Sequence, residues 1–419
     1  MTTAHTISVQ GVEGFRSLRS WVAVLAVIVL FTNLTYFIPT LVSFVIPSLW
    51  IVGFVGGLLF IMARERVRLH PVIWWSFGYL LLTVLWYSPL SPADNSSAEI
   101  QRRILSVTVL GTMVLVFAER RTLRTTRYAV AAAIVFSSLI NLFEVFQIGV
   151  FSTVYGRSAG LYGNSNQSGA ALVLGLIIAQ DVVSPRWRGW LWLCTGAGVL
   201  TTFSRAAMVG FLGVLILTSL REGRRIRGTA TFVIVCFAAI GFVMSPMWSS
   251  LQSTMEANNI GGHDAFGRLE AMLGGEEDES ITLREEVASL AWHSFLDHPV
   301  LGTGTGSAVS SPFDTLGPHN QYLALAVDHG ILGLLAYPTL ILMTVVGGGR
   351  NARLITIPFA FFALLWGFFS HNILEEPYFL VSFAIVAAVV GVCRAAEREP
   401  IEVSAELPVH EQDMLSIRA

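Results

Sequence analysis

The stretch FDTLGPHNQYLALAVDHGILG, residues 313–333, decides how this chain is read. A Gly-Pro turn leads into a His-Asn pair, and the chain then enters an apolar segment that runs to residue 346. A helix needs about 20 apolar residues to cross a bilayer, and this segment supplies them. A histidine at the mouth of such a segment is either an interfacial loop residue or a working one. The rest of the chain bears on the choice.

Hydrophobic residues make up 54% of the 419, and charged residues 13%, about half the charged fraction usual in soluble domains. Apolar segments recur at 20–38, 41–62, 71–88, 100–118, 128–148, 166–183, 189–203, 205–220, 229–246, 320–346, 354–370 and 377–393. Backbone groups in lipid must be bonded within their own segment, so these runs predict helices. The fold class expected is an all-α polytopic membrane protein with about twelve transmembrane helices. The first apolar core continues to Pro39. That is longer than a signal peptide's core and predicts an uncleaved first helix.

A net charge of −2 gives no sign of a nucleic-acid partner. Every one of the 26 basic residues is arginine, which suits a GC-rich coding bias better than a binding role. Cys194, Cys236 and Cys393 stand in apolar runs without metal-ligand spacing, and read as small buried residues.

All but six of the 26 arginines lie in the two tails and in the short loops 64–68, 119–127, 184–189, 221–228 and 347–353. The excess of arginine predicts that these loops and both termini are cytoplasmic. The expected organisation is a cytoplasmic tail over 1–19 and nine transmembrane helices over 20–246. A large outward-facing loop follows over 247–318, then three more helices over 319–393 and a cytoplasmic tail over 394–419. Within the loop, GGEEDES (274–280) is an acidic turn. It reads first as solvated, although clustered carboxylates also suit hard cations. The next piece places Leu283, Val287, Leu290, Ala291 and Phe295 at helical spacing.

The six exceptions are Arg102, Arg103, Arg157, Arg205, Arg268 and Arg284, all on the expected outer side. Arg205, in TTFSRAAMVG, sits between two apolar runs. A charge there is a functional candidate, or it snorkels from a tight hairpin. Arg284 opens the loop helix beside Glu285 and Glu286, where a solvated face would serve equally well. Arg157, in YGRSAGLYGNSNQSG, precedes a turn whose helix start could cradle an anion. Guanidinium groups bind phosphate through bidentate charge-assisted bonds, so several on one face suggest a lipid-linked phosphate. His319 stands where the outer loop re-enters the membrane. It could take a proton from an attacking hydroxyl or simply bond a loop carbonyl. His371 and Asn372 repeat the His-Asn pair at the outer end of another helix, lining the same cavity or capping a hairpin.

Taken in order, YGRSAGLYGNSNQSGAAL, TTFSRAAMVGFLGVLIL, LREEVASLAWHSFLDHPVLGTGTGS and HNQYLALAVDHGILGLLAY resemble the O-antigen ligase and polymerase superfamily of bacterial membrane glycosyltransferases. The resemblance covers roughly residues 155–345. It implies a GT-C-like architecture in the cytoplasmic membrane, with the active site facing outward. It implies transfer of a glycan from a polyprenyl-diphosphate carrier to an acceptor hydroxyl, with no cofactor and no metal. The partners implied are the lipid-linked donor, a sugar or lipid-linked acceptor, and membrane lipids. Arg205 and Arg284 map to the arginines that bind the carrier diphosphate, and His319 to the general base. Arg157, Asn320 and His371 are placed with the substrate-binding residues. GGEEDES is not part of the family pattern, so reaction class carries over and substrate does not. Ligase and polymerase share these motifs. A flippase for lipid-linked oligosaccharide would instead show charges buried mid-helix and paired broken helices. A channel would show a ring of like residues.

Overall fold

A computed structural model describes residues 18–34, 57, 70–87, 96–147, 150–152, 157–222, 279–310, 313 and 317–406, with the backbone alone at 87, 279–282 and 398–406. Among the described residues the regular structure is helical, with no strand. The helices are α1 (Leu18–Phe31), α2 (Pro71–Tyr87), α3 (Ser96–Phe117), α4 (Arg120–Phe146), α5 (Ser165–Ala179) and α6 (Pro185–Thr201). They continue with α7 (Arg205–Glu222), α8 (Glu279–Asp297), α9 (Gln321–Val345), α10 (Gly349–Trp366) and α11 (Pro377–Glu406). By length and composition, α3, α4, α9 and the Pro377–Glu397 part of α11 could each cross a membrane, and α1, α2 and α5 are shorter apolar helices. The expected segments 41–62 (apart from Gly57) and 229–246, the loop stretch 247–278 with Arg268, and most of GGEEDES lie outside the described residues.

The helices are apolar on the outside. α7 exposes Val209, Leu212, Ile216 and Leu220, and α4 exposes Phe136, Leu139 and Phe143. Steps of three and four put each set on one stripe. The opposite side of α4 buries Ser137, Ser138, Asn141 and Glu144. Such a surface is a liability in water and is suited to lipid. α5 and the Leu380–Val390 stretch of α11 are buried almost throughout and form the centre of the bundle. Small residues let the helices close up. A Cβ on Gly169 would lie 2.6 Å from that of Ala207, so α5 and α7 meet at backbone distance.

Hydrogen bonds sort the helix termini into two ends. At one end Arg127 bonds the Ile178 carbonyl at 2.8 Å and pairs with Asp181, Arg19 bonds the Val116 carbonyl at 2.9 Å, and Arg221 bonds the Arg353 carbonyl. This end carries the arginine-rich loops 119–127 and 347–353. At the other, Gln321 N–H bonds Gly367 at 2.8 Å and Arg157 bonds Thr202 at 3.0 Å.

α9 is broken at Gly330, whose φ of 62° and ψ of −144° leave the helical region. Segment 298–310 docks into the break. Thr303 and Gly304 N–H donate to the Val327 and Asp328 carbonyls at 2.7 and 3.0 Å, and Ile331 N–H donates to Pro299 at 2.8 Å. A Cβ on Gly330 would sit 2.4 Å from the Val300 carbonyl oxygen, so only glycine fits. α8 follows the expected spacing but buries a narrower stripe. Val287 and Ala291 pack with Ala308, Phe313, Ala324 and Val327 and Phe295 is buried, whereas Leu283 and Leu290 are exposed. One neighbouring helix covers only a strip of residues four apart.

Candidate functional site

The end opposite the arginine-rich loops holds the candidate residues. His319 lies between the 298–310 segment and α9, with a φ of 44°. This left-handed conformation is uncommon outside glycine and costs free energy, about 1–3 kcal/mol. Asn320 caps α9, its Oδ1 accepting from the N–H groups of Tyr322 and Leu323 at 3.0 and 3.1 Å. The cap fixes where the helix starts and therefore where His319 leaves it. The ring of His319 meets that of His371 edge-on, with centroids 5.2 Å apart. Burial, His371 and the Arg284 guanidinium together lower the proton affinity of His319 to about 4. Its imidazole is therefore neutral at physiological pH, the form a general base requires.

His371 belongs to the connection between α10 and α11. The same connection carries Asn372, Glu375 and Glu376. Asn372 bonds Glu376 at 2.7 Å, and Gln167, in the first turn of α5, also bonds Glu376. Burial pushes Glu375 up to about 8, helped by the neighbouring Glu99 carboxylate. Glu376 rises to about 7, also through burial.

A second group adjoins at α5. Arg157 donates to the Thr202 carbonyl at 3.0 Å and to Asn166 at 2.8 Å. Ser158 N–H donates to Thr201 at 3.1 Å. These bonds stitch the loop before α5 to the hairpin between α6 and α7, in which Phe203 has a φ of 48°. Arg205 is the first residue of α7, at the positive end of that helix dipole. Asn166 and Gln167 are adjacent, so the Arg157 group and the Glu376 group share one helix start. Arg284, His319 and His371 form one set, and Arg157 with the turn before Arg205 the other. Gln167–Glu376 connects them.

Two devices under the site went unread in the sequence. Glu144, near the end of α4 and buried, gathers the loop that carries Arg157. Its Oε1 accepts from Phe151 and Ser152 N–H at 3.1 and 2.6 Å, and its Oε2 from Ala159 and Gly160 at 2.8 Å each. The other device explains why Arg103 departs from the arginine pattern. Arg103 is buried, bonds Glu99 at 2.8 Å, pairs with Asp328 and donates to His329 Nε2 at 2.5 Å. Asp328 also accepts from Gly306 and Ala308 N–H at 3.2 and 2.9 Å, which clamps the docked segment. Arg102 reaches Glu99 at 3.4 Å and Glu375 at 3.8 Å. Asp328 and His329 were findable, because ionisable residues inside an apolar run are functional or paired by default. Glu144, inside the apolar segment 128–148, gave the same signal, but nothing in the sequence pointed to its partners, which are backbone N–H groups of a loop.

Bundle and site together define a helical membrane protein with polar chemistry gathered at one end. Residues 189–337 match the family model described as O-antigen ligase. The match supports the O-antigen ligase superfamily and a membrane enzyme of its ligase and polymerase kind, with glycosyltransferase-like activity on lipid-linked glycan and acceptor substrates. Apolar helices and family match together indicate a bacterial membrane protein. The matched span contains Arg205, Arg284, His319 and Asn320, while Arg157 and His371 fall outside it. A search of curated proteins finds no match.

Proposed function

We propose that this protein moves a glycan from a polyprenyl-diphosphate carrier to an acceptor hydroxyl at the outer face of the cytoplasmic membrane, in the manner of an O-antigen ligase. In this reading the twelve expected spans, the outward loop over 247–318 and the GT-C-like architecture hold. His319 removes the acceptor proton as the oxygen attacks the anomeric carbon. The carbon–oxygen bond to the carrier breaks with inversion, and the diphosphate leaves with the electron pair. Arg205 and Arg284 bind that diphosphate and stabilise its growing charge without a metal. Arg157, Asn320 and His371 line the substrate cavity. The observation that carries the reading is the grouping of neutral His319 with Arg284 at the end opposite the arginine-rich loops, inside the family-matched segment.

A carrier function for lipid-linked oligosaccharide has one observation in its favour. Arg103, Asp328 and His329 are buried within helices beside a break in α9. However, Arg103 pairs with both Asp328 and His329 Nε2, and the break is filled by segment 298–310, which makes a clamp rather than a path. Deleting the gene and analysing carrier-linked glycans tests the proposal. Accumulated full-length chains on the carrier fit a ligase, and single unpolymerised repeats fit a polymerase. Unchanged carrier-linked glycans would contradict both.

A further inference from the structure

We propose that His371 is the proton-relay partner of His319, receiving the proton that His319 lifts from the acceptor hydroxyl. The proposal rests on the transferase reading above. It starts from proton balance. As the new carbon–oxygen bond forms, the hydroxyl proton moves to the His319 imidazole, and the carrier diphosphate departs with the electrons of the broken bond. His319 is then a cation in a half-buried place beside the Arg284 guanidinium. Among the described residues no carboxylate is ion-paired with it. The proton is strongly disfavoured where it first lands and has to leave before the next turnover.

The ring in contact with His319 is His371, at 5.2 Å between centroids. Proton transfer over such a separation runs directly between ring nitrogens or through one water. Glycine at position 317 makes the approach possible, because a Cβ there would lie 2.7 Å from His371 Nε2. On the far side, His371 Nδ1 is buried with no hydrogen-bond partner. Burial lowers the proton affinity of His371, and the charge of Glu99 offsets part of that. Glu99 is itself held in place by Arg103 at 2.8 Å and Arg102 at 3.4 Å. The other charged or titratable groups around the pair are Arg284, Glu375 and Glu376. Glu375 and Glu376 hold their own protons to about 8 and about 7.

The test compares purified wild-type protein with His371→Gln and His371→Gly, using a polyprenyl-diphosphate glycan donor and a sugar acceptor. The relay predicts a kcat lowered about 10- to 100-fold in both variants, a smaller loss than removal of a direct base. Added imidazole should restore turnover to His371→Gly, an effect that a purely structural histidine would not show. Wild-type kcat in His371→Gln, or a loss in His371→Gly that imidazole does not relieve, would overturn the relay while leaving the transferase reading intact. Absence of transfer by the wild-type protein would sink both.

Discussion

His319 illustrates what one residue's surroundings do to its chemistry. The sequence placed it at the membrane boundary but could not give its proton affinity, which depends on Arg284 and His371 arriving from elsewhere in the chain. Burial and both neighbours hold its value near 4, below the ordinary histidine value near 6.5. The neutral base is therefore present above that value and lost only as pH falls through it. The acid limb of kcat/KM should fall near pH 4, and a limb at 6.5 or above would contradict the assignment. Removing a positioned base typically costs about 10²–10⁴ in rate, so His319→Ala should lose that much while remaining folded. Arg205→Lys and Arg284→Lys should each weaken donor turnover, because lysine keeps the charge but loses the planar fork. Undiminished turnover in both lysine variants would count against diphosphate binding. Glu144 makes a separate prediction. Its glutamine variant turns an amide N–H₂ toward backbone donors, and each orphaned donor costs about 1–3 kcal/mol. Thermal unfolding in detergent should show a clear drop for Glu144→Gln, and an unchanged midpoint would refute the cage.

At the scale of elements, hydropathy located the helices because an apolar run in lipid has few alternatives to a helix. The residues 71–88 and 377–393 read from the sequence fall on α2 and α11 almost to their first residue. The break in α9 was not legible. Gly330 sits in an apolar run like a tolerated helical glycine, and its role depends on Val300 arriving from the docked segment. The acid-base cluster across α3 and α9 was half legible, since Arg103 stood out while Glu99 and Asp328 were read past. Its function at this scale is to clamp segment 298–310 beneath His319. Breaking a buried pair by removing one partner typically costs about 3–5 kcal/mol. Arg103→Met leaves Asp328 without its cation and Glu99 with Arg102 alone, so it should destabilise the protein by that order. A stability unchanged from wild type would show that the pair does not hold the break together.

For the whole molecule, the arrangement of ends follows from arginine counting. Among the described residues the arginine-rich loops 119–127 and 347–353 share one end and the candidate site occupies the other. Orientation in the membrane is the remaining expectation, argued from the bias itself. Single cysteines in loop 119–127 should resist an impermeant thiol reagent in intact cells, and cysteines on the exposed face of α8 should react. The reverse pattern would invert the account.

Carrier-diphosphate transfer with His319 as base depends on the residue, the elements that hold it and its end of the bundle alike. The direct measurement follows release of free polyprenyl diphosphate together with glycan appearing on the acceptor, using purified protein in EDTA. Wild-type protein should release one carrier per glycan transferred, and His319→Ala should release almost none. Equal release by the two proteins, or wild-type activity that disappears in EDTA and returns with magnesium or calcium, would contradict the mechanism.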